Sequence, residues 1–245
     1  MEYTQRMNNV LFVKLQENPA HIDAAGIVAR AFALVGERRI VLASSLSVED
    51  QVLTHLLCGA TANPRIFTLD TGRLFPETYD AMERTMEHYG FRYEALAPES
   101  GELGKMLTAH GPNLFYRGIE LRHECCRVRK VEPLRRVLAT ADAWICGLRR
   151  DQATTRSACE PVEADAANDI IKINPLWNWT EAQVWQFVNE HDIPYNPLHD
   201  RGFRSIGCQP CTRAIGTDDD LRSGRWWWEE PEHKECGLHN RPPLG

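Results

Sequence analysis

Apolar positions along the chain alternate between helical and strand periods. Ile22 to Val35 places Val28, Phe32 and Val35 at i, i+4 and i+7, and Ile40-Val41-Leu42-Ala43 then reads as a buried strand. A polar turn, Ser44-Ser45-Leu46-Ser47-Val48-Glu49-Asp50, opens a helix over Gln51 to Cys58. The unit recurs: Arg65 to Leu69 is a strand, Asp70-Thr71-Gly72-Arg73 a loop, and Pro76 to Tyr89 a helix with proline in its first turn. Phe91 to Leu96 is a third strand. From Gly101 the pattern is less regular until a helix beginning near Cys126, with Val131, Leu134, Val137 and Leu138 on it and Pro133 at a kink or first turn. Asp142 to Cys146 is a fourth strand and Ile170 to Asn174 a last one. Thr180-Glu181-Ala182-Gln183 is a capping box opening a helix with Val184, Phe187 and Val188 on one face.

Strands alternating with helices over this length predict an α/β fold with a doubly wound, mainly parallel sheet, whose ligand lies beyond the carboxyl ends of the strands. The loops 44–50 and 70–73 fall at that edge. So does the Arg-rich run Gly147-Leu148-Arg149-Arg150-Asp151-Gln152-Ala153-Thr154-Thr155-Arg156, which leaves the fourth strand directly. A strand, turn and helix leaves backbone N–H groups aimed at a phosphate or sulfate, although Ser47 with Glu49 and Asp50 equally suits ordinary helix capping. Regular core elements end after Pro194. Two parts are expected: an α/β nucleotide-binding domain over 1–194 that includes the Cys125-Cys126 helix, and a loop-rich appendage over 195–245.

The chain has 245 residues, 43% of them hydrophobic, enough for a full core. Its net charge of -6, from 34 acidic and 28 basic residues, argues against nucleic acid as the main partner while leaving room for a local anion pocket. No run approaches the roughly 20 apolar residues of a membrane span, and Met1 to Gln16 shows no export signal, so a cytoplasmic protein is expected. In that setting eight cysteines point to metal binding or catalysis and not to disulfides.

Cys58 and Cys146 sit in helix and strand patterns and read as small buried residues, and Cys159 as a loop residue. The informative thiols are Cys125-Cys126, the pair in Cys208-Gln209-Pro210-Cys211, and Cys236. A lone Cys-x-x-Cys is compatible with a redox dithiol, but the second pair completes four ligands. Four thiolates suit zinc or an iron–sulfur cluster, and an adjacent Cys-Cys, whose side chains diverge, fits the separate corners of a [4Fe–4S] cubane better than one zinc ion. A helix starting near Cys126 is expected to aim its dipole at that site, with Lys130 one turn on. Cys236 lies on a polar tail between Lys234 and His239, where a thiolate is favoured, after the aromatic run Trp226-Trp227-Trp228.

These stretches, with Leu69-Asp70-Thr71-Gly72-Arg73, Gly147 to Gln152, Gly207 to Arg213 and Gly224-Arg225-Trp226-Trp227-Trp228-Glu229 through His239, resemble the assimilatory adenylyl-sulfate reductases of bacteria, relatives of the phosphoadenylyl-sulfate reductases. The resemblance runs from residue 44 to 239, in the family's order. Ser47 and Ala153 depart from it, standing where glycine and serine are usual. It implies an adenine nucleotide α-hydrolase-like fold, a [4Fe–4S] cluster on Cys125, Cys126, Cys208 and Cys211, and Cys236 as the nucleophile toward adenosine 5′-phosphosulfate. Thioredoxin or a glutaredoxin-like thiol donor would complete the cycle. Substrate contacts would come from Ser44, Ser45, Asp50, Leu69, Asp70, Thr71, Lys130, Arg149, Arg150, Arg156, Arg222, Arg225 and His239. The same chemistry on 3′-phosphoadenylyl sulfate, and a structural zinc protein without activity, are the competing readings; a homo-oligomer is left open.

Overall fold

The computed structural model describes residues 10–17, 22–153, 156–230, 234 and 237–238. Cys236 and His239 lie outside them. A six-stranded sheet has the order β3-β2-β1-β4-β6-β5, formed by β1 (Ile40–Ala43), β2 (Ile66–Leu69), β3 (Glu94–Leu96), β4 (Ala143–Ile145), β5 (Val162–Asp165) and β6 (Ile170–Ile173). β1 pairs in parallel with β2 and β4, and β4 with β6, whereas β5 runs antiparallel to β6 along the edge. The fold is the mainly parallel α/β arrangement expected.

The helices are α1 (residues 10–16), α2 (Ala24–Val35), α3 (Val48–Ala60), α4 (Pro76–Tyr89), α5 (Ser100–His110), α6 (Ile119–Cys126), α7 (Glu132–Leu138) and α8 (Glu181–Glu190), of which α2, α3, α4 and α8 fall where the sequence predicts them. Local chemistry sets their ends. Asp23 caps α2 by accepting from the Gly26 N–H at 2.7 Å, and Thr180 and Gln183 form the reciprocal box that starts α8. Three features differ from expectation. Helix α5 fills part of the irregular stretch; it buries only Met106, and Gly101 and Gly104 weaken its pattern. The charged edge strand β5 alternates over too few residues to stand out. Cys125 and Cys126 end α6 and do not begin a helix, so the N-terminus of α6 lies away from them; the chain continues through a π-helical turn, Arg127–Val131, into α7, with Pro133 in its first turn.

By contact density the chain forms two compact units, neither continuous in sequence. One comprises 1–68, 76–94 and 138–197; the other comprises 69–75, 95–137 and 198–245. The α6 cysteines thus group with the segment after Leu198. The first unit holds the main core, in which Leu42, Ile66, Ile145 and Ile173 of the sheet pack with Val28, Val52, Leu53 and Leu57 of α2 and α3. The second unit has a smaller core in which Met106, Leu114, Phe115, Val128 and Trp226 surround the four paired cysteines. Of the singleton thiols, Cys146 and Cys159 are buried and Cys58 half-buried.

Gln51 is fully buried on α3, and its Nε2 donates to Thr85 Oγ1 on α4 and to the Pro194 carbonyl, both at 2.6 Å. Gln51→Leu leaves that carbonyl without its donor. We expect a loss of about 2 kcal/mol, read as a lower urea midpoint by circular dichroism.

Candidate active site

The four paired cysteines come from two local structures. Cys125 and Cys126 close α6, while Cys208 and Cys211 flank a 3₁₀ turn, Gln209–Cys211, with Pro210 inside it. That turn is pinned on several sides. The Cys211 N–H donates to the Cys208 carbonyl at 2.9 Å, the Gln209 N–H to the Arg73 carbonyl at 2.8 Å, and the Tyr116 hydroxyl to the Pro210 carbonyl at 2.8 Å. All four thiols are buried and line one cavity, with Arg73, Phe115, Arg122, Arg129, Lys130, Pro210 and Trp226. The π-helical turn explains why consecutive Arg129 and Lys130 both line it: an i→i+5 turn has more residues per turn than an α-helix, so neighbouring side chains are separated by a smaller rotation.

Charge governs these thiols. Burial alone raises a thiol's pKa, and it does so at Cys125 and at Cys211, the latter pushed up to about 12 with Cys208 adding to the effect. Burial acts on Cys208 too, but Lys130, a hydrogen bond with Thr71, Arg225 and Arg129 outweigh it, and its pKa is lowered. Thr71 Oγ1 lies 3.3 Å from Cys208 Sγ, and Arg129 donates to the Thr71 carbonyl. The cavity therefore favours anionic sulfur at its Cys208 side. Among the described residues, no three His, Cys, Asp or Glu side chains are grouped so as to hold one metal ion. Four thiols lining one cavity are a donor set that suits zinc or an iron–sulfur cluster.

In the other unit, the loop after β1 folds onto Asp50. Its Oδ2 accepts from the Ser45 N–H and Oγ, each at 2.7 Å, and from Ser47 Oγ at 3.0 Å, while Ser44 Oγ accepts from the Leu46 N–H. Leu46 adopts φ 61 with its side chain buried, a strained turn that the packing maintains. The loop after β4 is joined to this one. Arg149 is fully buried; its Nε and one terminal nitrogen donate to Glu49 Oε1 at 3.0 and 2.8 Å, and the other terminal nitrogen reaches Asp151 and the Trp179 carbonyl. Gln152 donates to the same Glu49 oxygen at 2.9 Å. Burial pushes the Glu49 carboxyl up, but Arg149 and Gln152 hold it below the usual range. Gly147 permits the approach: a Cβ there would lie 2.7 Å from Asp50 Oδ1.

The sequence-derived site residues distribute accordingly. Ser44, Ser45, Asp50, Arg149, Arg150 and Arg156 lie in the first unit, and Leu69, Asp70, Thr71, Lys130, Arg222 and Arg225 in the second. Arg149 supports the loops from beneath. Arg150 stacks on Trp177 at 4.3 Å and donates to the Cys159 carbonyl, and Arg156 donates to Gln152 Oε1. Asp70 follows β2 directly; its N–H donates to the Leu96 carbonyl and its carboxylate accepts from the Gly72 N–H. Arg222 donates to the Lys234 carbonyl at 3.0 Å, and Arg225 is buried against Trp226.

Residues 39–214 match the phosphoadenosine phosphosulfate reductase domain. The chain belongs to that family. Proteins named adenosine 5′-phosphosulfate reductase are similar to it over most of their length: that of Allochromatium vinosum is 52% identical over 82% of this chain and 79% of its own, and that of Burkholderia cepacia 48% identical over 84% of each. That of Neisseria meningitidis serogroup B is 44% identical over 95% of this chain and all of its own. Among solved structures, the phosphoadenylyl-sulfate reductase of Candida auris superposes with a TM-score of 0.69 at 24% identity, covering 88% of this chain and 97% of that one. The Candida glabrata FMN adenylyltransferase in complex with FAD and pyrophosphate gives 0.55 at 17%, covering 97% and 84%. The fold of this oxidoreductase is thus the adenine nucleotide α-hydrolase-like one.

Arg122 and Arg129, which line the four-cysteine cavity, and Glu49 and Glu229, which pair with buried arginines, are not among the site residues expected from the sequence. Arg122 stands four residues before Cys126 on α6, the spacing of one helix face, and that signal was present. Glu49 and Glu229 carried no such mark, because each gains its role from an arginine distant in sequence.

Asp50 supplies a pH test. Burial pushes its pKa up from 3.8 to about 6, against the pull of the Ser45 hydrogen bonds. Between about pH 4 and 6 the folded reductase keeps a proton that the unfolded chain releases, so this group's contribution to stability falls as pH rises and levels off above about pH 6, at a cost of about 3 kcal/mol. Asp50→Asn removes that dependence. The stability difference between the variant and the native reductase should shift in the variant's favour from pH 4 to 7, as measured by urea titration; a constant difference would contradict the raised pKa.

Proposed function

We propose that this reductase converts adenosine 5′-phosphosulfate to sulfite and AMP in the cytoplasm during sulfate assimilation, with thioredoxin as electron donor and Cys236 as nucleophile. The observation that carries this reading is the single cavity lined by Cys125, Cys126, Cys208 and Cys211 with Lys130 and Arg129 beside them, in a chain whose relatives at 44–52% identity bear that substrate's name.

The thiolate of Cys236 attacks the sulfuryl sulfur, and the sulfur–oxygen bond to the phosphate breaks with its electron pair leaving on AMP. The product is a Cys236 S-sulfonate. A thioredoxin thiolate then attacks Cys236 Sγ, sulfite leaves with the electron pair of the sulfur–sulfur bond, and the second thioredoxin cysteine resolves the mixed disulfide. Sulfur is reduced by two electrons and the dithiol is oxidised by two. AMP is a weakly basic leaving group, so no strong acid is required. An anionic thiolate approaching an anionic phosphosulfate does require cations, and Lys130, Arg156, Arg222, Arg225 and His239 are assigned that work, with Arg149 and Arg150 shaping the loop that carries Arg156.

The four paired cysteines would hold a [4Fe–4S] cluster, which when bound supplies charge and a fixed geometry next to the reaction. The adjacent pair Cys125-Cys126, whose side chains diverge toward separate corners, supports this over zinc. Lys130 and Arg129 offset the negative charge of bound thiolates, and Thr71 orients Cys208.

Anaerobically purified protein should contain about four irons and about four acid-labile sulfides per chain. Cys236→Ser should keep them and lose sulfite release by about a thousandfold or more. Sulfite release by that variant at the native rate removes the nucleophile; one zinc and no sulfide removes the cluster; and faster turnover of 3′-phosphoadenylyl sulfate than of the unphosphorylated nucleotide reverses the substrate.

A further inference from the structure

The second unit contains a buried ion pair that the proposed reaction does not use. Arg122 on α6 is fully buried, and the Glu229 side chain is 3% exposed. The pair is bidentate, with Arg122 Nε to Glu229 Oε1 at 3.0 Å and Arg122 Nη2 to Oε2 at 2.7 Å. Two charges removed from water are tolerated only when each is fully met, and removing either partner strands the other. Arg122 also lines the four-cysteine cavity with Cys126, one turn ahead on α6. One guanidinium therefore touches both a wall of the four-cysteine cavity and the segment that leads to Cys236.

That segment is otherwise held by strained geometry. Trp226 takes φ 41, a left-handed conformation that a bulky residue adopts only under constraint. Its indole is buried between two guanidinium groups, Arg122 at 4.8 Å and Arg225 at 4.6 Å. The Trp226 backbone N–H donates to the Cys211 carbonyl at 3.1 Å, and the Glu229 backbone N–H donates to the Trp226 carbonyl at 2.9 Å. Gly224 lies so close to the Arg213 carbonyl that a Cβ would sit 2.4 Å from its oxygen. Residues 224–229 are thus fixed to both cysteine pairs: to Cys208–Cys211 through the backbone, and to Cys125–Cys126 through Arg122.

We propose that the Arg122–Glu229 pair is a positioning latch that fixes the base of the C-terminal segment to the four-cysteine cavity, so that filling the cavity and placing Cys236 are coupled. Arg122 and Glu229 act through other groups and do not touch substrate. The coupling to a filled cavity rests on the function proposed above; the latch itself does not.

The test uses the full-length, anaerobically prepared protein and the double variant Arg122→Met/Glu229→Leu, which removes both charges without stranding one. Hydrogen exchange is followed in peptides covering 222–238 and, as a control, in those covering β1 and β4; Cys236 alkylation by iodoacetamide is read by mass spectrometry. In the double variant, exchange over 222–238 and Cys236 alkylation should each rise by about tenfold or more, with the β1 and β4 peptides unchanged. The turnover number should fall while KM for the nucleotide holds. Native exchange and alkylation in the variant would overturn the latch. If the double variant loses protection in β1 and β4, Glu229→Gln, which keeps the shape and one hydrogen bond, carries the same comparison. Stripping iron from the native protein with a chelator should raise exchange over 222–238 by a similar factor, and no rise there would overturn the coupling. A protein that never held iron would fail the cluster reading while leaving the exchange and alkylation comparison intact.

Discussion

A sulfur anion can be kept out of water only next to positive charge, and the second unit of this protein is built around that constraint. Four thiols are buried there, and Arg122, Arg129, Lys130 and Arg225 are drawn in around them. Those cations need anchoring in turn. Arg129 spends a donor on the Thr71 carbonyl, Arg122 is matched by Glu229, and Trp226 receives two guanidinium faces at once. Remove the thiols and little reason remains for so many arginines in so small a core.

The first unit solves a related problem differently. Its loops converge on two adjacent carboxylates, Glu49 and Asp50, which burial pushes in the same direction and partners separate. Glu49 is ionised against Arg149, whereas Asp50 collects neutral donors from Ser45 and Ser47 and holds its proton to higher pH. One residue's difference in position thus decides between an ion pair joining two loops and a turn closed on itself. The space for both comes from Gly147, where any side chain would strike them.

Much of this was legible in the amino-acid order. Ile40–Ala43, Ile66–Leu69 and Pro76–Tyr89 declared themselves because long apolar periods and a first-turn proline are local signals, and the paired cysteines, which line one cavity, did so because each pair is close in sequence. What escaped depended on partners far apart in the chain. The edge strand β5 exists because β6 offers it hydrogen bonds, and Arg149 reads as a ligand-binding arginine until Glu49 is seen beneath it. The start of a helix near Cys126 was misplaced because Pro133 is a strong boundary signal, while the true helix, α6, begins after Gly118 with a mixed and weakly patterned sequence.

The π-helical turn at Arg127–Val131 has an implication for how this chain can tolerate change. Such a turn accommodates one residue more than an α-helix would over the same hydrogen-bonded span. A single deletion between Arg127 and Val131 would restore regular helical hydrogen bonding, and by the usual criteria of propensity it would look like an improvement. Because the bulge absorbs its extra residue locally, the helix on either side would keep its facing, but at the wider α-helical rotation only one of two consecutive cations could line the cavity, so Arg129 or Lys130 would be lost from it while every cysteine stays in the sequence. In this protein the number of residues in one turn is as much a part of the cavity as the thiols themselves.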